Sequence, residues 1–288
     1  MPDPKNPQPT WSLPFEGAWP TSVAFLNNGR RVAAGNRDGQ IFLWDLPENL
    51  PDQSDAKSDK KDNDQSEGSQ VPPVRRLDGH SNGVTHLLAL ADGKTLISSS
   101  LDGAVRVWDT TAPATGKEEV VMDSKTRERE SKRNKDALNQ SGVEVDIQSA
   151  SETLKGHGDW IQSLGISGDE RLMISGDDSN LTIVREVASG KEVSRWKGYP
   201  GDWVTSAALS PDGKTAFTAE YSASHGSFDR PPAQARFWNV ADGSEKLDVL
   251  KVQFPDVKAR DNSYGYARTW GKFMARGLVA SAFSPDGK

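Results

Sequence analysis

Three side chains in this 288-residue sequence are of the types that build a nucleophilic triad: His80, Ser98 and Asp102. A serine hydroxyl, an imidazole that takes its proton and a carboxylate that orients the ring could attack an acyl carbon. Trp108 lies a few residues beyond them and suggests another use of the same groups. A buried indole N–H and a buried imidazole each need a partner. A closed chain of carboxylate, imidazole, hydroxyl and indole supplies those partners without any chemistry.

The other reactive types are sparse. His86 and His225 pair neither with each other nor with carboxylates at a metal-ligand spacing. His86 starts a strand, and His225 lies in a Gly-Ser-Pro-rich insertion. There is no cysteine, which removes disulfides, thiolate metal sites and thiol nucleophiles. No GxxxxGK[ST] loop cradles a phosphate. Asp212-Gly213 and Asp286-Gly287 are turn dipeptides, too few oxygens for a calcium loop. The sequence therefore predicts no catalytic residue, no metal site and no cofactor.

The elements that must position His80, Ser98, Asp102 and Trp108 lie in one stretch, Leu77 to Asp109. It opens on Gly79-His80, closes on Trp108-Asp109, and holds Asp92-Gly93 and Asp102-Gly103 between. Apolar residues come in short runs around those dipeptides: Leu88 and Leu90, then Leu96 and Ile97, then Val105 and Val107. Short β-rich runs punctuated by Asp-Gly are antiparallel strands joined by hairpins, because the turns need backbone angles that Asp and Gly tolerate. The pattern recurs. Gly29 and Trp44 stand as far apart as Gly93 and Trp108, with Asp38-Gly39 between them. A third copy keeps Gly156-His157 but places Val184-Arg185 where Trp-Asp is expected. A fourth runs from Tyr199 to Phe237-Trp238-Asn239, and a fifth begins at Val279.

Gly-His at the start and Trp-Asp at the end of each unit resemble the WD40 repeat, the sheet motif of β-propellers. The resemblance implies an all-β WD40 β-propeller of about four blades plus the start of a fifth, part of a larger, commonly seven-bladed ring. Blades are expected near 17–47, 77–112, 154–190 and 196–245, with a fifth starting near 277–288. It also implies that His80, Ser98, Asp102 and Trp108 form a structural hydrogen-bond tetrad. The first repeat offers Glu16, Ala34, Asp38 and Trp44 at those positions, and the third His157, Ile174, Asp178 and Val184. Only the second repeat is expected to build the whole set.

In the same family the strand before a repeat belongs to the preceding blade, so Trp11 to Phe15 could close the ring on the last blade. An ordinary N-terminal tail fits these residues equally well. Residues 1–10 form a Pro-rich flexible lead-in and 11–288 the propeller region. Two polar insertions, 48–74 and 113–151, are expected to be disordered, the second with a short solvated helix as an alternative. The formal charge of −6 and a pI near 5.4 give no basic field for nucleic acid or anionic lipid. The basic cluster from Arg127 to Lys135 is interleaved with acids and has no aromatic residue for base stacking. No secretory h-region and no membrane-spanning apolar run occur, which reads as a cytoplasmic chain.

What remains is a non-enzymatic scaffold whose partner is a protein or peptide, with neither nucleic acid nor membrane as ligand. The alternative is the propeller domain of a longer enzyme or signalling protein. Family resemblance places the contacts at blade entries, at Asp159 and Trp160, Asp202 and Trp203, with Asn82 and Thr85 beside them. Tyr264, Tyr266, Arg268 and Trp270 combine aromatic and guanidinium groups of the kind enriched at interfaces. An open blade edge also offers a route to self-association.

Overall fold

The turns set the architecture. Gly103 has φ of +75°, which a Cβ-bearing residue rarely adopts, and its N–H closes on Ser100 O at 3.2 Å. In the third repeat Asn180 takes that place at φ +62°, and its N–H closes on Asp177 O at 3.2 Å. Asn is the side chain that tolerates the left-handed region best after Gly. Such turns return each strand on its predecessor.

The computed structural model describes residues 11–14, 19–48, 69–121, 142–198, 200–222, 233–246 and 282–284. The strands are β1 (Trp11–Ser12), β2 (Pro20–Leu26), β3 (Arg31–Asn36), β4 (Ile41–Asp45), β5 (Ser69–Gln70), β6 (Arg75–Asp78) and β7 (Val84–Ala89). They continue as β8 (Thr95–Ser100), β9 (Val105–Asp109), β10 (Gly116–Val121), β11 (Gly142–Ser149), β12 (Glu152–Leu154), β13 (Ile161–Ile166) and β14 (Leu172–Asp177). The last are β15 (Leu181–Glu186), β16 (Glu192–Lys197), β17 (Asp202–Leu209), β18 (Thr215–Ser222), β19 (Ala233–Asn239) and β20 (Glu245–Lys246).

Four-stranded sheets of order β12-β9-β8-β7, β13-β14-β15-β16 and β17-β18-β19-β20 repeat along the chain. A first sheet adds two strands to the same plan, in the order β10-β11-β6-β4-β3-β2. The expected all-β fold of antiparallel four-stranded blades is what the chain adopts. The strand ahead of each repeat (β6, β12 and β16) joins the sheet of the repeat before it.

The chain divides into two compact units, residues 1–96 with 107–151, and 97–106 with 152–288. In the first unit, Ala24, Leu26, Ala33, Ile41, Leu43 and Leu77 pack against Val84, Leu87, Leu96 and Trp108. The opposite face of the first sheet carries Val32, Phe42 and Trp44, buried with Val71 and Val145. In the second unit, Ile174, Val184 and Trp196 of one sheet pack on Val204, Ala207, Leu209 and Trp238 of the next.

Three expectations change here. Trp11–Ser12, the described strand of the Trp11–Phe15 segment, pairs not with a later repeat but in parallel with β5, Trp11 opposite Ser69. Trp11 and Leu13 pack on the Phe42–Trp44 face, an apolar surface that requires a cover. The 113–151 insertion is ordered at both ends, since β10 and β11 form an antiparallel hairpin with Val120 opposite Val143. Its second strand joins β6 in parallel, Ile147 opposite Arg76. Val143, Val145 and Ile147 alternate at strand spacing and bury against the same face. In the 48–74 insertion Val71 is likewise buried. Residues 49–68 and 122–141, with the suggested helix, fall outside the described residues.

Neighbouring blades approach closely at glycines. A Cβ on Gly176 would lie 2.3 Å from Val204 Cγ1, and one on Gly35 would lie 2.6 Å from Val84 Cγ1. Val204 is fully buried, so it cannot move aside into solvent. Gly176→Ala should therefore lower unfolding free energy by about 1–3 kcal/mol in urea titrations. Gly158→Ala, where nothing lies within 4 Å, should stay within about 0.5 kcal/mol of the wild type.

Candidate functional site

The turn ends of the blades hold both the buried polar groups and the exposed tryptophans. His80, Ser98 and Trp108 are all buried, and the imidazole of His80 lies 6.2 Å from the Trp108 indole, centroid to centroid. The Asp102 carboxylate accepts from Ala104 N at 2.9 Å and from Arg106 Nη1 at 2.8 Å. A guanidinium on the carboxylate adds an ion pair that the four-residue set did not include.

The third blade corrects the sequence reading. His157 Nδ1 donates to Asp177 Oδ2 at 2.9 Å, and Nε2 meets Ser175 Oγ at 2.7 Å. Ile174 and Asp178 are not the partners. Strand pairing explains the slip: Met173 lies opposite Arg185 as Val32 lies opposite Trp44, so Arg185, not Val184, stands at the tryptophan position. The carboxylate in use sits at the strand end and opens the turn, two residues before the usual aspartate place. Its Oδ1 also accepts from the backbone N–H of Ser179 and of Leu181, each at 2.9 Å. Burial alone would push the Asp177 carboxyl up, but His157, Leu181 and Ser179 hold it below its ordinary value.

The same position, facing the bulge of the first strand, recurs in two other blades. Asn36 lies opposite Pro20, Asp177 opposite Ile161 and Glu220 opposite Val204. All three are buried polar residues. In the fourth blade Trp238 Nε1 donates to Thr218 Oγ1 at 2.7 Å, and that hydroxyl donates to Glu220 Oε1 at 3.2 Å. Asn180 Nδ2 reaches Glu220 Oε2 at 3.3 Å and ties the third blade to the fourth. Burial pushes the Glu220 carboxyl up, against the pull of Arg236, Asn180 and Thr218. Sequence reasoning fixed on the turn aspartates and missed this position. Its signal was the register, one polar residue facing the bulge of the first strand in each of these three blades.

One place ahead of Pro20, Ile161 and Val204 stand Trp19, Trp160 and Trp203. Trp19 is 79% exposed and Trp160 50% exposed, while Trp203 is half-buried. Trp19 was missed, although the repeat spacing aligns it with the other two. Asp159 is exposed, and its Oδ1 accepts the Trp160 N–H at 2.8 Å. Asp202 is buried, which withdraws its carboxylate from the surface. Tyr264, Tyr266, Arg268 and Trp270 lie outside the described residues.

Asp178 follows Asp177 and donates its N–H to Trp160 O at 3.0 Å, so its carboxyl belongs to the Trp160 turn. Burial pushes that carboxyl up to about 6, with Asp159 and Asp177 adding to the shift and the Gln162 amide opposing it. Among the described residues, no group of three or more His, Asp or Glu side chains is arranged to hold a metal ion. Among them, too, no helix is long and apolar enough to cross a membrane.

Residues 8–45, 71–109 and 148–184 match the family model described as "WD domain, G-beta repeat". Similar proteins include a coronin-like protein of Saccharomyces cerevisiae, 33% identical over 97 residues, covering 33% of this chain and 13% of the relative. A small ribosomal subunit protein RACK1 of Medicago sativa is 32% identical over 87 residues, covering 30% of this chain and 22% of the relative. The target of rapamycin complex subunit LST8 of Saccharomyces cerevisiae is 26% identical over 87 residues, covering 30% and 23%. The chain thus spans less than a quarter of the length of each of these relatives.

His157→Ala should cost about 1–3 kcal/mol of unfolding free energy, because it strips a buried carboxylate and a buried hydroxyl of their shared partner. Equilibrium denaturation reads the loss directly. Asp178 gives the opposite sign. Its folded carboxyl titrates near 6, above its ordinary 3.8. The folded state therefore binds the proton more tightly, and its contribution to stability is full below the ordinary value and lost as pH rises through 6. Asp178→Asn should melt higher than the wild type at neutral pH, and the gap should close near about pH 4.

Proposed function

The chain belongs to the WD40-repeat family, and we propose that it is a non-enzymatic scaffold that docks a protein or peptide. Blades packed through buried glycine–valine contacts hold the entry turns rigidly, so a partner meets a preorganised surface. The observation that carries the reading is Trp160. It is a large indole, 50% exposed at the start of a blade, beside the exposed carboxylate of Asp159 and the half-buried one of Asp178. An indole flanked by carboxylates fits a cationic side chain, which gains ring contact and charge together. The partner proposed is therefore a basic segment of another protein. Trp203 is the weaker contact, since it is half-buried and its neighbour Asp202 is not at the surface.

The relatives' own descriptions, as a ribosomal subunit protein and as a subunit of the target of rapamycin complex, suit a role within assemblies. The short share of each relative that is matched supports a second reading, a propeller domain serving a longer protein. Both readings keep the same docking turn.

Selection of displayed peptides against the purified chain should enrich Lys- and Arg-containing sequences. Trp160→Ala should weaken the selected peptides about tenfold or more, the scale of an interface hot spot, with the thermal melt unchanged. Binding should also strengthen from about pH 5 to 7 as Asp178 ionises, and Asp178→Asn should abolish that rise. Peptides without basic residues, or binding indifferent to Trp160, would count against the docking turn.

A further inference from the structure

Two Asn-Gly pairs stand in this sequence, Asn28-Gly29 and Asn82-Gly83, and both asparagines are exposed. Such a pair can close on itself, because the glycine nitrogen has no neighbouring side chain to shield it from the asparagine amide carbon. Closure needs those two atoms about 3–3.5 Å apart and on the same side of the backbone. The fold treats the two pairs differently.

Asn28 is held away from that geometry. It takes φ of +53° and ψ of +38° in the turn between β2 and β3, where Arg30 N donates to Asn27 O at 3.0 Å. At that ψ the Gly29 nitrogen lies nearly anti to the Asn28 Cβ, on the wrong side for a ring to close. Closure there requires the turn itself to open. At Asn82, by contrast, the Gly83 N–H donates to the residue's own Oδ1 at 2.8 Å. A carbonyl bond of about 1.23 Å then places Cγ within roughly 4 Å of the nitrogen. The terminal torsion of asparagine is soft, so a turn of the amide presents its carbon in place of its oxygen. Packing keeps the glycine in this pair, since a Cβ on Gly83 would lie 3.1 Å from Arg37 O.

We infer that Asn82 converts spontaneously to aspartate and isoaspartate in the folded protein, while Asn28 is protected. The Gly83 nitrogen gives its proton to solvent hydroxide and bonds to Asn82 Cγ. The Cγ–Nδ2 bond breaks, and Nδ2 takes a proton from water and leaves as ammonia. Water then opens the cyclic imide. Addition at Cγ restores the ordinary peptide and gives aspartate; addition at the backbone carbonyl carbon routes the chain through Cγ and gives isoaspartate. The sum is one water consumed and one ammonia released, with no change of oxidation state. Either product puts an ionised carboxylate on the entry turn of the second blade. Isoaspartate also lengthens the backbone at a tight seat, where a Cβ on Gly39 would lie 2.7 Å from Asn82 O and 2.6 Å from His80 O.

The test holds the folded chain in warm, mildly alkaline buffer and digests samples over time. Mass spectrometry reads the exchange of NH2 for OH in the peptides bearing Asn28 and Asn82, and an isoaspartyl methyltransferase assay counts the rerouted chains. Asn82 should convert about tenfold or more faster than Asn28, the scale set by a misplaced reacting atom. In concentrated urea, where neither turn persists, the two rates should converge to within about twofold. An unconverted Asn82 in the folded chain overturns the inference, as does an Asn28 that keeps pace with it. A preference for Asn82 that survives in urea overturns it too, since the fold would then not be its cause. The aged chain should melt below Asn82→Asp, which carries the same charge on an ordinary backbone. Equal melts would overturn the disturbance of the Gly39 seat.

Discussion

Each described blade is a sheet with two apolar faces, and each face must be covered by something. The strands place apolar side chains on both surfaces, as with Ile41 and Leu43 on one side of β4 and Phe42 and Trp44 on the other. Antiparallel sheets usually leave one face in water, but here neither can be wetted without exposing large side chains. Neighbouring blades supply the cover where they exist. Their approach is close enough that a single methyl at Gly176 would strike Val204.

On the far side of the first sheet the chain uses other material. Trp11 and Leu13 from the N-terminal segment, Val71, and the alternating Val143, Val145 and Ile147 of β11 close over Phe42 and Trp44. Parts of two polar insertions thus serve packing. The cover reaches β3 and β4 and leaves Val23 and Phe25 of β2 outside it.

Polar groups inside such a stack must be paired locally, because the sheets exclude water. The position facing the first-strand bulge shows three solutions to one problem. Asn36 accepts from the N–H groups of Asp38 and Gln40. Asp177 accepts from its turn and from His157. Glu220 is bonded by Thr218 and Asn180 and lies 3.3 Å from Arg236 Nε. Where bonds outnumber the desolvation, as at Asp177, the carboxyl is held down; where burial dominates, as at Glu220, it is pushed up. Those bonds also fix the entry turns, and so fix the tryptophans that project from them.

Much of this was legible in the residues. Equal spacing of Gly29 to Trp44 and Gly93 to Trp108, with turn dipeptides between, specifies hairpins and their repetition. That information is local, since a two-residue turn and an alternating strand depend on adjacent residues. The same ruler would have found Trp19. What the sequence could not decide was anything that depended on register across strands. A third repeat with Ser179-Asn180 in place of Asp-Gly left the turn without its usual marker, and the assignment slipped by one residue. Only pairing between β14 and β15 put Asp177 and Ser175 on His157. Charge density made the 113–151 insertion read as solvated, while its last residues alternate like a strand. That strand forms because an apolar face elsewhere in the fold requires it, and no window of sequence contains that requirement.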